Sequence, residues 1–579
     1  TPAPPPDRTV QLIDLRHASS GFNWREMYFF FGAAVVVLAL SCLNVAGLLL
    51  ARALKRQREF AIRGALGGGR AALVRQLLIE GALIALPGAA AGTLLASWLL
   101  ALLRVRIPPD HLERGGLVHL DARAALFVLA VTALCTLVLA LAPLLFARRI
   151  DLNVMLGQSG RTAGPSPRQR RVRAALLTAQ TSATLVLLAG AALFAISFLR
   201  ISNSPLGFDP ANRAALRLSL SGARYAADPA ITALATRLIE EAAGAPGVRG
   251  AAVGSNSPLD SRGGLAVQFV RRDRPRPARG QEPTAVIRSV TPDYFTTLGI
   301  RHAGGRAFTA ADTTGAPRVA IVNELLARRL FPGEDPIGRE LEIIPRLQTG
   351  WTSRPGPVQI VGVVNNVRNF GINEVEFNNL YLPFAQAPAP TFELIAAASV
   401  SANDTVGPLR AAVQRADPSL PVMSVTTLDD RVDAALRGDR FNFLVVAFFA
   451  AAATLLAGVG IYGAMASAVQ ERTREFGIRI ALGAVPRTIL RTALTASVRI
   501  GVVGSALGAA LTLVLARVIG DALYLVPGQH GGMLYGVDTT DPRALSAACA
   551  LLLAVVIAAG LIPARQATTV DPMIALRTE

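Results

Sequence analysis

The chain has 579 residues, 52% of them hydrophobic and only 17% charged, and a net charge of +19. A soluble globular chain carries about a quarter charged residues, so much of this one is not built for water. The three cysteines, Cys42, Cys135 and Cys549, all lie in apolar stretches, which excludes a disulfide-stapled module. No metal site and no cofactor are expected. The arginines gather beside apolar stretches, not in a basic stripe interleaved with aromatics, so no nucleic-acid partner is expected either.

The opening Thr1-Pro2-Ala3-Pro4-Pro5-Pro6 has no initiator Met, basic stretch or cleavage site and reads as the interior of a longer protein. A bilayer core needs about 20 apolar residues in a helix. Seven segments qualify: 27–51, 77–103, 122–146, 174–199, 441–469, 489–519 and 544–564. The loops 52–75, 147–173 and 470–488 are rich in Arg, whereas 104–121 and 520–543 are acidic or mixed. By the positive-inside rule the first three are cytoplasmic. The large region 200–438 and the N-terminal segment then lie outside, and the C-terminus inside. The expected topology is multi-pass, with the large domain outside and the lipid bilayer as the first partner.

The fold class expected is α-helical membrane protein plus one α+β outside domain. Residues 1–26 are the tail of a truncated first outside domain and 27–146 a three-span unit. A basic cytoplasmic linker, 147–173, leads to a single span, 174–199. The outside domain takes 200–438. Residues 439–579 form a second three-span unit with the C-terminus. In the outside domain Arg318–Val322 and Gln359–Val364 read as strands. Asp228 is placed as the N-cap of a helix running to Glu241, with Pro229 at its first position. A further helix is expected over Val406–Arg415.

The spans repeat. Arg58-Glu-Phe-Ala-Ile-Arg-Gly-Ala-Leu-Gly67 matches Arg474-Glu-Phe-Gly-Ile-Arg-Ile-Ala-Leu-Gly483 at eight of ten positions, at an offset of 416 residues. The same offset places Arg75 on Arg491, Gly88 on Gly504 and Gly92 on Gly508. Pro143 to Met155 resembles Pro563 to Met573 more loosely. The first unit therefore lacks one span relative to the second, and the two units are expected to be related by a pseudo-two-fold axis along the membrane normal. Gly88, Gly92, Gly504 and Gly508 form small-residue motifs that let helices approach closely in lipid, and equivalent packing is expected of both pairs.

In each decapeptide Glu precedes Arg by four residues, the favoured order for a helical ion pair: Glu59 with Arg63 and Glu475 with Arg479. Ile62 and Leu66, like Ile478 and Leu482, recur at helical spacing. Two readings stay open for these short cytoplasmic helices: resting on lipid headgroups, or docking a partner. The candidate docking residues are Arg58, Glu59, Ile62, Arg63, Leu66 and Gly67 in the first copy, and Arg474, Glu475, Ile478, Arg479, Leu482 and Gly483 in the second. No catalytic residues are assigned. Lys55 is the only lysine and follows no glycine-rich turn, so the chain holds no Walker-type phosphate loop.

Ser41-Cys-Leu-Asn-Val-Ala-Gly-Leu-Leu-Leu-Ala-Arg52, the two Arg-Glu-Phe-x-Ile-Arg helices and Val570-Asp-Pro-Met-Ile-Ala-Leu-Arg577 resemble the FtsX/MacB-type ABC permeases. Asn203-Ser-Pro-Leu-Gly-Phe-Asp209 and Val290–Ile300 running on to Val319–Glu324 resemble the MacB-type periplasmic core domain. The tandem arrangement, with Leu534–Pro542, is similar to the duplicated permeases of acidobacterial type. The resemblance implies a non-enzymatic permease of a bacterial inner membrane, its large domain in the periplasm, driven by a separate cytoplasmic ATPase through the docking helices and working with a periplasmic or outer-membrane protein. A non-transporting membrane scaffold or sensor is the alternative.

Overall fold

The computed structural model describes residues 24–55, 70–106, 121–147, 167–260, 264–278, 280–344, 356–372, 377–471, 473–482, 485–524 and 534–568. The first docking copy, Arg58 to Gly67, lies outside these residues, as do Gly483 and residues 1–23 of the N-terminal tail. The chain divides into two compact units. One holds the membrane helices; the other is Ser197–Asn442 with Val526–Gly536.

The first four helices in chain order are α1 (Trp24–Lys55), α2 (Arg70–Arg106), α3 (Ala122–Ala147) and α4 (Pro167–Ser202). Seven helices among the described residues are long and apolar enough to cross a membrane. In lipid every backbone N–H and C=O must be satisfied within the segment, which is why these runs are helical despite their many β-branched residues and glycines.

The other unit, the α+β domain, comprises β1 (Arg213–Ser219), α5 (Asp228–Ala243), β2 (Val248–Gly254), β3 (Leu265–Arg271), β4 (Thr284–Val290), α6 (Tyr294–Leu298), β5 (His302–Gly305), β6 (Val319–Asn323) and α7 (Glu324–Leu330). It continues with β7 (Glu340–Ile344), β8 (Gly356–Val364), β9 (Asn379–Pro383), β10 (Thr391–Ala398), α8 (Ala402–Ala416) and β11 (Val422–Thr427). β1-α5-β2 and β10-α8-β11 together form a four-stranded antiparallel sheet in the order β11-β1-β10-β2. That is the split βαβ, ferredoxin-like arrangement. α5 and α8 cover one face through Leu234, Leu238, Leu409 and Val413, packed on Leu216, Leu218, Val253 and Leu394.

The second lobe is inserted between β2 and β10. Its strands run β4-β3-β7-β8-β6-β9, and β9 pairs back onto β4, so the six strands close on themselves. Closure leaves no free edge among them. Their core is Val267, Phe269, Ile287, Val322, Leu341, Ile360 and Leu380. The expected helix at Asp228 is present, but its N-cap is Ala227 and makes no side-chain cap bond. Pro229 fixes the first turn, and Asp228 sits one position too late to cap it.

The remaining membrane helices are α9 (Leu428–Glu471), α11 (Pro486–Tyr524) and α12 (Pro542–Thr568), with the short α10 (Thr473–Ala481) between the first two. The repeat is visible in their packing. Asp121 accepts from Ala124 N at 2.9 Å and Asp541 from Arg543 N at 2.8 Å, so α3 and α12 open on the same residue type, 420 residues apart. Cys42 of α1 meets Cys135 of α3, with the sulfurs 3.6 Å apart. The corresponding Gly458 of α9 lies against Val555 of α12. Gly81 of α2 packs on Thr136 and Leu139 of α3, and Ser497 of α11 packs on Gly560 of α12.

The glycine pairs do not behave alike. A Cβ on Gly504 would come within 2.7 Å of Thr181, and one on Gly508 within 2.8 Å of the Ser182 carbonyl oxygen, both on α4. Gly88 and Gly92 have nothing within 4 Å. The expectation of equivalent packing therefore fails for this one contact. The helix that covers the second pair is α4, and the described residues of the first unit contain no counterpart of it.

Polar side chains join α1, α4 and α9. Asn44 donates to the Leu456 carbonyl at 2.6 Å, and Gln180 donates to the same carbonyl at 2.8 Å. Both are at least nine-tenths buried. The oxygens of both side chains crowd Gly460, where any Cβ would come within 3.0 Å of them. Asn44 and Gly460 are equivalent positions of the repeat, so the two halves touch at matching residues. Replacing Asn44 by Leu should cost about 0.6–2 kcal/mol, the range for an interhelical hydrogen bond in a membrane. Thermal unfolding of the purified chain in detergent measures it.

Candidate functional site

α10 is a nine-residue helix between two spans. Glu475 lies in its first turn and Arg479 in its last, the placement the helix dipole favours. Their side chains pair at 2.6 Å, and both are partly exposed. An exposed pair of this kind contributes only about 0.3–0.5 kcal/mol. Phe476 is buried against Val469 and Ile489, with Ile480 beside it. Ile478 is 42% exposed and Leu482 82% exposed. Ile478 and Leu482 recur at helical spacing, and so do Phe476 and Ile480. Two residues along a helix turn about 200°, so Phe476 and Ile480 hold the helix down while Ile478 and Leu482 point away. Phe476 was missed, although its counterpart Phe60 stands in the first copy of the motif.

The α+β domain grips the ends of two long helices. Ile201 of α4 and Leu428 of α9 are buried in one cluster with Ala215, Ile395, Tyr294 and Phe295; Phe198, Val432 and Leu436 pack against it. Thr427 Oγ1 accepts from Asp430 N at 3.0 Å and so caps the start of α9. One turn on, Arg431 reaches back to Glu393 on β10 with two hydrogen bonds, 2.8 and 3.2 Å. Ser257 N donates to the same carboxylate at 2.9 Å. Arg217 of β1, which pairs with Asp260 at 2.6 Å, stands 3.8 Å from it. Glu393 is fully buried. Burial pushes its carboxyl upward, but the charge and hydrogen bonds of Arg431, with Ser257, outweigh that and hold it below the usual value.

A third attachment comes from the connection between α11 and α12. Tyr535 N donates to Ser197 Oγ at 2.7 Å. Its hydroxyl lies 3.0 Å from Ser204 Oγ and accepts from Arg368 at 3.2 Å. Arg200 donates to the Gly536 carbonyl. The sequence had offered Leu534–Pro542 only as a mark of resemblance. The partners of Tyr535 lie hundreds of residues upstream, and no local pattern announces them. Among the described residues no group of three or more His, Cys, Asp or Glu could hold a metal ion.

The family model for the FtsX-like permease C-terminal matches twice, at residues 31–152 and 447–572. The model for the MacB-like periplasmic core domain matches residues 181–416. The chain thus carries two FtsX-like permease modules and one MacB-like periplasmic core domain. Among curated relatives, the pyoverdine export ATP-binding/permease protein PvdT of Pseudomonas syringae pv. tomato is 31% identical over 287 residues, 48% of this chain and 40% of that protein. The macrolide export ATP-binding/permease protein MacB of a Shewanella species is 27% identical over 304 residues, 51% of this chain and 44% of that protein. The chain therefore spans less than half the length of these relatives. Of solved structures, the periplasmic region of MacB from Actinobacillus actinomycetemcomitans aligns with 39% of this chain and 92% of its own, at 13% identity and a TM-score of 0.26.

Proposed function

We propose that the chain is the permease subunit of an ABC-type export or mechanotransmission system in a bacterial inner membrane. A separate cytoplasmic ATPase docks on α10 and on its first-unit counterpart, Arg58 to Gly67. The α+β domain stands in the periplasm and engages a periplasmic or outer-membrane protein. The observation that carries this reading is the pair Ile478 and Leu482, apolar and exposed on a helix whose own packing is completed by Phe476. Fully burying two such side chains contributes about 1.5–3 kcal/mol each, ample for a docking contact. The names of the relatives, which join an ATP-binding part to a permease, agree with it.

The α+β domain fits the receiving end. Two helices root in its core, and Tyr535 ties the α11–α12 connection to the same base. Movement of the spans would reach the domain through these three points. The chain itself supplies no ATP chemistry in this reading, and Gly504 and Gly508 serve to seat α11 on α4. Chemical cross-linking in native membranes, followed by purification of the chain and mass spectrometry, tests it. Recovery of a subunit bearing a glycine-rich phosphate loop, cross-linked near α10, is the expected result. Recovery of periplasmic partners alone, with no ATPase, would favour a non-transporting scaffold or sensor.

A further inference from the structure

α11 carries a feature that docking does not use. Arg491, Thr495 and Arg499 stand at intervals of four along one exposed face. Leu494, Val498 and Val502 run beside them, and the two rows line a groove of about 460 Å³. No Asp or Glu lines it. Among the described residues neither arginine has a hydrogen-bond or ion-pair partner. In the first unit the same positions are Arg75, Ile79 and Leu83, so the second cation is peculiar to this helix.

The candidate span runs from Pro486 to Val518, 33 residues. At 1.5 Å per residue that is about 50 Å, against a hydrocarbon core of about 30 Å. The twenty residues from Arg499 to Val518 suffice to fill the core. Arg499 then falls at the level of the lipid phosphates and Arg491 about 12 Å below it. An arginine on the outward face of a span is costly unless it meets an anion or water. All of the lining residues belong to this one helix and are exposed or partly exposed, so an occupant lies against the flank of the span. It must be anionic beside the arginines and apolar beside Leu494, Val498 and Val502.

We infer that this groove binds an anionic phospholipid, with the phosphate held by Arg499, Arg491 and the Thr495 hydroxyl and an acyl chain lying along the valines. The groove lies at the end of α11 next to α10, which the proposed function places in the cytoplasm, so the lipid belongs to the cytoplasmic leaflet on that reading; the binding itself does not depend on any ATPase. The test is native mass spectrometry of the full chain in mild detergent, titrated with phosphatidylglycerol, phosphatidylethanolamine or inorganic phosphate. The double variant R491Q/R499Q should weaken the first phosphatidylglycerol site by at least about tenfold, since each basic residue near an anionic lipid contributes severalfold. R75Q should leave it unchanged. V498W, which fills the groove and keeps both charges, should weaken it comparably and guards against misfolding of the double variant. Equal binding by wild type and both variants would overturn the inference. So would equal affinity for phosphatidylethanolamine, displacement of the lipid by millimolar inorganic phosphate, or a membrane protein co-purifying at this face and lost only in the variants.

Discussion

Replacing Glu393 by Gln should destabilise the α+β domain by about 3–5 kcal/mol, the usual cost of removing one partner from a buried ion pair. Glu393 accepts two hydrogen bonds from Arg431 and one from the Ser257 backbone, and it is fully shielded from water. Without its charge, Arg431 remains a nearly buried cation at the root of α9. The double replacement E393L/R431L should recover most of the loss, because removing both charges also removes both desolvation penalties. Hydrogen exchange of β1 and β10 peptides in the detergent-solubilised chain reads the effect. The pH dependence has a definite sign. The folded Glu393 carboxyl lies below its ordinary value of 4.5. Its contribution is therefore present above that value and is lost as pH falls through the lower, folded one. Wild type should lose protection in that acid window, and E393L/R431L should lack this component.

The second large effect is steric. In G508L the new Cβ would meet the Ser182 carbonyl oxygen and the Leu185 Cβ, at 2.8 and 2.9 Å before any relaxation. Backbone atoms of α4 cannot swing aside as a flexible side chain can, so the helices must part. Overpacking of this kind costs about 1–3 kcal/mol, and the branched remainder of Leu places the change at the upper end. G92L occupies the equivalent position of the other unit, where nothing lies within 4 Å, and should stay within about 0.5 kcal/mol of wild type. Thermal unfolding of the two variants in the same detergent is the comparison. Equal losses would mean that Gly92, like Gly508, is covered by another helix.

The spans were legible because lipid demands long apolar helices, and the repeat because a charged decapeptide does not recur by chance. Their ends were less so. The span expected at 441–469 belongs to a helix that begins at Leu428, since hydropathy marks only the part in lipid and not the turns rooted in the domain. Strands near Val319 and Gln359 were readable from their β-branched runs. The sheet order was not, because β1 pairs with β10 and β11 across some two hundred residues. The contacts that tie the domain together were hidden for the same reason. Glu393 and Arg431 belong to no motif, and Asn44 stood inside a motif without showing that its partner was Leu456. On α10 the spacing alone could not tell the packed side from the open one; Phe476 decides it.

The central claim is that α10 receives an ATPase through Ile478 and Leu482. Its most direct test is ATP turnover by the cognate ATPase in the presence of the full chain, comparing I478D/L482D with E475Q. Burying an unpaired carboxylate costs several kcal/mol, whereas the exposed Glu475–Arg479 pair contributes well under 1 kcal/mol. The Asp variant, correctly inserted, should lose binding and stimulation of the ATPase, and E475Q should retain most of both. Full binding and stimulation by I478D/L482D would contradict the account.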